Sequence, residues 1–196
     1  MITKRLAQKL ANASNKEVSL SLEEKVYAEK HQLLVDGLTV IEIEKNNQFK
    51  DAIIERFHKE TEELISEDKA DFLTKPLAHL KENMHEFIYL ESSSFDTIGV
   101  DAIAIEYDEV FEVYTAMFGL ALQKKFASAM KTFLDEHFNS EKMNYSMMFS
   151  GEDGLWEVNL PLNYFNHFEE NSTIEETYHF LYTLIFSLGE AVEQLS

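Results

Sequence analysis

The chain has no cysteine, two prolines and only two arginines among 196 residues. Without cysteine there is no disulfide framework, no thiolate metal ligand and no cysteine nucleophile. Arginine is confined to Arg5 and Arg56. Its planar fork is the usual clamp for phosphates and carboxylates, so its scarcity counts against enzymes acting on nucleotides or on amino-acid carboxylates. The catalytic loops G-x-S-x-G, Walker A, G-x-G-x-x-G and H-E-x-x-H are all missing. The most apolar stretches, Val113–Leu122 and Tyr178–Leu188, fall well short of the roughly 20 residues that span a bilayer. Met1-Ile2-Thr3-Lys4-Arg5-Leu6 lacks the apolar centre of a signal peptide. These absences predict a cytoplasmic protein with no membrane partner.

What is present in excess is negative charge. Thirty-six acidic residues against 17 basic ones give a formal net charge of −19 at pH 7. The 45% hydrophobic content is nonetheless too high for a disordered acidic chain. The charge is unevenly placed. No Lys or Arg occurs between Lys81 and Lys124, where Glu82, Glu86, Glu91, Asp96, Asp101, Glu106, Asp108, Glu109 and Glu112 fall, and none follows Lys142. Surfaces of this kind repel nucleic acid and attract basic proteins. A solvated acidic face that only keeps the chain soluble is the plainer reading of the same residues.

Hydrophobic periodicity predicts one α+β domain over residues 1–196, mostly helical, with a small antiparallel sheet. Residues 1–14 form a possible helical arm, with Ile2, Leu6 and Leu10 at i+4 spacing. Ser21 and Glu24 have the spacing of a capping box for a helix to about Val35, and Leu38–Glu44 reads as a strand. Phe49, Ile53, Phe57 and Leu64 predict a helix over Gln48–Ser66, and Leu77, Leu80, Met84 and Phe87 another after Pro76. Phe95–Leu120 fits either period. Leu122, Phe126, Ala129 and Phe133 predict a helix ending near Phe138. A hairpin follows within 144–162, turning at Gly151–Gly154. The last helix carries Ile174, Tyr178, Leu181, Ile185, Leu188, Val192 and Leu195 at 4-3 spacing, with Phe180, Tyr182, Leu184 and Phe186 off that stripe. It is either the central helix of the fold or the seam of a homodimer.

One pattern has metal-ligand spacing. Glu55-x-x-His58, Glu82-x-x-His85 and Glu176-x-x-His179 each set a carboxylate and an imidazole one helical turn apart. Carboxylate-bridged di-metal sites of helical bundles use this unit. Against a divalent metal stand the sheet the chain needs and His179's place among aromatics, where a hydrogen-bonded core histidine is common. The group Glu106, Asp108, Glu109 and Glu112 lacks the spacing of an EF-hand loop.

Four phrases, Tyr27–His31, Phe72–Pro76, Gly119–Phe126 and Phe149–Trp156, resemble a group of small acidic proteins of Bacillus-like bacteria. Some of these carry the label branched-chain amino acid aminotransferase. That label implies pyridoxal phosphate, a Schiff-base lysine and a phosphate cradle. None of the four phrases is such a motif, so the resemblance transfers no site residue. The residues themselves predict a cytosolic interaction protein with no catalytic group and no cofactor, self-associating as a homodimer and offering its acidic surface to a basic protein. An immunity-type inhibitor of a basic toxin is one member of that class. A carboxylate–histidine metal protein is the alternative.

Overall fold

The computed structural model describes residues 2–13 and 16–195. Met1 and Ser14, the ends of the expected arm, lie outside them. Seven strands form one antiparallel sheet in the order β4-β3-β5-β6-β7-β9-β8. They are β3 (Ile53–His58), β4 (Leu64–Asp68), β5 (Glu86–Glu91), β6 (Ala102–Asp108), β7 (Val113–Leu120), β8 (Ser146–Ser150) and β9 (Leu155–Pro161). A second, two-stranded sheet pairs β1 (Glu17–Leu20) with β2 (Thr39–Glu42) in parallel. The helices are α1 (Ile2–Ala11), α2 (Leu22–Lys30), α3 (His79–Glu82), α4 (Ala127–His137) and α5 (Ile174–Gln194).

The mostly helical α+β fold with a small sheet is therefore overturned: helix makes up 38% and strand 29% of the chain. The helix expected over Gln48–Ser66 is the hairpin β3–β4, whose turn is closed by Glu62 at φ 55°. Spacings of four satisfy a strand as well as a helix, because every second strand residue shares a face. The adjoining Ile53-Ile54 and Leu64-Ile65 carried the strand preference that the wider spacing hid. Phe87 lies in β5, and the helix after Pro76 is the single turn α3. Phe95–Leu120 contains β6 and β7. The hairpin within 144–162 is present as β8–β9.

Strand alternation separates the two faces of the large sheet. One cross-strand row runs Ile54, Leu90, Ile103, Phe118, Val158 and Met147, with Arg56, Ile88, Ile105, Ala116 and Leu160 beside it. α5 lies on this face, where the Tyr178 hydroxyl donates to the Ile103 carbonyl at 3.2 Å. α4 joins it, with Met130 and Leu134 meeting Leu184, Leu188, Phe118 and Leu160 around a small apolar gap. α5 is then enclosed from behind within the same chain. Ile2 of α1 sits so close to Gly189 that a Cβ there would come within 2.8 Å of it. Tyr27 of α2 meets Phe186 edge-on at 5.7 Å, Ser21 lies 3.3 Å from the Tyr182 hydroxyl, and Phe168 covers Phe180 at 5.8 Å. The off-stripe residues that suggested a seam thus find their partners inside one chain.

Capping boxes start both α2 (Ser21 with Glu24) and α5 (Thr173 with Glu176). A buried charged cluster on the covered face centres on Glu86. It accepts from Arg56 Nη1 at 2.9 Å and hydrogen-bonds His79 Nε2 at 2.7 Å, while Arg56 Nε donates to Asp68 at 2.7 Å.

Candidate functional site

The opposite face of the sheet carries the row Glu67, Glu55, Tyr89, Ala104, Met117, Asn159 and Ser146. In its middle Glu55, Tyr89, Ala104 and Met117 remain half-exposed, and Asn159 and Ser146 are exposed. A packed helix would bury such central positions, so this face meets solvent.

Its composition is not that of a merely soluble face. Phe57 stacks on Phe87 with ring centroids 5.4 Å apart and meets Tyr89 edge-on at 6.2 Å. Alternation puts Phe57, Phe87 and Tyr89 on this side because Arg56, Glu86, Ile88 and Leu90 point into the covered one. Around the rings lie Glu55, Glu67, Glu91, Glu106 and, towards β9, Glu157. Among the described residues only Glu106 of these has an ion pair, with Lys59 at 3.8 Å. Glu55 and Glu67 stand directly opposite each other across β3 and β4. Like charges at such positions destabilise a sheet. The field is felt by the Tyr89 hydroxyl, whose pKa is raised by desolvation and then by Glu91, Glu55 and Asp101.

Of the three histidine–carboxylate pairs of the sequence, Glu176 and His179 do stand one turn apart on α5, whereas the other two do not form helical units. Glu55 and His58 lie on β3, where a spacing of three puts them on opposite faces. Glu82 ends α3, and His85 precedes β5. The fold brings His58 and His85 together, with rings 5.7 Å apart, and the Glu60 backbone N–H donates to His58 Nδ1. Glu176 is occupied in capping α5: its carboxylate accepts from Thr173 N at 2.7 Å, and these Thr173 hydrogen bonds lower its pKa. His179 is buried against Phe49, with ring centroids 4.8 Å apart and the rings tilted, and its Nε2 has no partner among the described residues. Burial, followed by the charge of Lys45, lowers its pKa to about 4. Among the described residues no three His, Asp or Glu side chains are grouped so as to hold a metal ion.

The aromatic row escaped sequence reasoning because Phe57 and Phe87 were both placed on helices. The available signal was the alternation Phe87-Ile88-Tyr89-Leu90 beside an acidic stretch without lysine or arginine. No helix of the described residues is long and apolar enough to cross a membrane. No protein-family model, no curated protein and no solved structure matches the chain.

Proposed function

We propose that this is a cytoplasmic binding protein, without catalysis of its own, that holds a basic polypeptide segment against the open face of its large sheet. The observation that carries this reading is the unpaired Glu55–Glu67 couple beside the Phe57–Phe87–Tyr89 row. A like-charged cross-strand pair weakens the free protein and is relieved when a cation comes between the two carboxylates. Lysine or arginine over an exposed ring adds about 0.5–1 kcal/mol, and each exposed ion pair about 0.2–1 kcal/mol. Useful affinity therefore requires several cations engaged together, and binding falls with salt. Apolar side chains between those cations would cover Ile53 and Met148, which are 53% and 64% exposed.

The test is a titration followed by backbone-amide NMR, using a decapeptide of alternating Lys and Trp. Shifts concentrated in β3, β5 and β6 support the assignment. Shifts concentrated in α2, α4 and α5, or no saturable shift, would count against it.

A further inference from the structure

A second site lies away from the aromatic row. A cleft of about 940 Å³ opens between α1, β1, the 92–101 loop and the end of β7, a volume within the range of small-molecule sites. Arg5 reaches into it from α1. Its guanidinium covers Gly99: a Cβ built there would lie 2.4 Å from both Cζ and Nη2 and 2.5 Å from Nη1. Only glycine leaves this seat empty, and Gly99 also needs its φ of +73°. Arg5 Nη2 donates to the Ala121 carbonyl at 2.8 Å, which fixes the orientation of the fork. Among the described residues that is its one hydrogen bond, for a group with five N–H donors.

No carboxylate of the described residues forms an ion pair with Arg5, although the chain has 36 acidic residues. The contrast with Arg56, which holds both Asp68 and Glu86, is direct. Burial lowers the Arg5 pKa, and the charge of Glu193, which makes no ion pair with it, raises it by less. A half-buried cation with no carboxylate in contact is unfavourable in the free protein. Lys9 lines the same cleft but is committed to the buried Glu24 at 2.7 Å. Gln48 lines it too, with its side-chain nitrogen buried and unpartnered. The remaining charged groups on the wall are the opposite kind: Asp51, Asp96, Asp101 and Glu17. A simple anion would meet them unfavourably, and a simple cation would leave Arg5 unpaired.

We propose that this cleft binds a small zwitterion, with Arg5 taking its carboxylate and the Asp51, Asp96 and Asp101 wall facing its ammonium group. The oriented fork supplies parallel N–H donors for a planar carboxylate, a geometry that lysine cannot reproduce.

Calorimetry with four probes tests this: 6-aminohexanoate, hexanoate, cadaverine and inorganic phosphate. The expected order places 6-aminohexanoate at least tenfold tighter than hexanoate or cadaverine, with phosphate weakest. Arg5→Gln should weaken 6-aminohexanoate at least tenfold, and Arg5→Lys should recover only part of that loss. Asp96→Asn, at an exposed position, keeps the test available if the Arg5 variants fail to fold. It should weaken 6-aminohexanoate severalfold while leaving hexanoate unchanged or tighter. Equal binding of hexanoate and 6-aminohexanoate, tighter binding of phosphate, or no binding of 6-aminohexanoate at 50 mM would each overturn the proposal.

Discussion

His179 gives the protein a defined acid sensitivity. Its imidazole is 4% exposed, packed on Phe49, and titrates at about 4 instead of its ordinary 6.5. Between those values the unfolded chain takes up a proton that the native protein refuses. The unfolded state then binds more protons, so stability rises with pH across this window and is lost as pH falls from 6.5 towards 4. An interval of about two and a half pH units, at 1.36 kcal/mol each, makes the loss about 3 kcal/mol. Glu176, whose pKa is lowered by its hydrogen bonds to Thr173, removes stability in the same direction as the pH falls through its ordinary 4.5 and below. The comparison that isolates the imidazole is His179→Phe, which keeps an aromatic ring against Phe49. Urea unfolding of both proteins at pH 7, 5.5 and 4.5 measures the two slopes. The native chain should lose about 2–3 kcal/mol more than His179→Phe over that range. Parallel pH curves would show that His179 is protonated in the folded protein and refute the argument.

The packing fixes the outcome of other substitutions as well. Arg56→Ala strands Glu86 in the covered face and should destabilise by about 3–5 kcal/mol in chemical denaturation, far more than an exposed ion pair would. Gly99→Ala should destabilise by about 2–3 kcal/mol, combining the left-handed backbone penalty with loss of the Arg5–Ala121 hydrogen bond. In a double-mutant cycle with Arg5→Gln the two losses should be less than additive, since removing the guanidinium frees the Cβ site. Ser21→Ala and Thr173→Ala should each cost about 1 kcal/mol through the capping boxes, seen as lower melting temperatures. Glu67→Lys should stabilise by about 0.5–1 kcal/mol by turning the Glu55 repulsion into attraction, while weakening binding of the Lys-Trp peptide.

Those parts of the fold governed by local rules were legible in the sequence. The α5 stripe from Ile174 to Val192, the Ser21–Glu24 box and the Gly151–Gly154 turn all concern neighbours in the chain. The errors arose where spacing is degenerate. Phe49, Ile53 and Phe57 lie four apart, which suits a helical stripe and also one side of a strand. Only the long-range pairing of β3 with β5 decides between them, and it joins residues such as Ile54 and Leu90. The helix misreading propagated to function. It made Glu55 and His58 a metal-ligand unit, whereas the strand separates them onto two faces and gives Glu55 to the open one. The acidic character of the chain was read directly from composition. Its concentration around an aromatic row required the register of five strands. Arg5 showed no sequence signal, since its setting depends on Gly99 and Ala121, both far along the chain.

The most direct test of the open-face assignment is a charge-matched comparison. Glu55→Lys/Glu91→Lys and Glu29→Lys/Glu136→Lys change the net charge equally, the first pair on the open sheet face and the second on α2 and α4. Affinity of each for the alternating Lys-Trp decapeptide, measured by fluorescence anisotropy at 0.15 M salt, separates a site from general attraction. The sheet-face pair should weaken binding at least tenfold, with the helix-layer pair within about twofold of the native chain. Equal losses in the two variants would mean that the charge acts only as a diffuse field, and would contradict binding at the Phe57–Phe87–Tyr89 face.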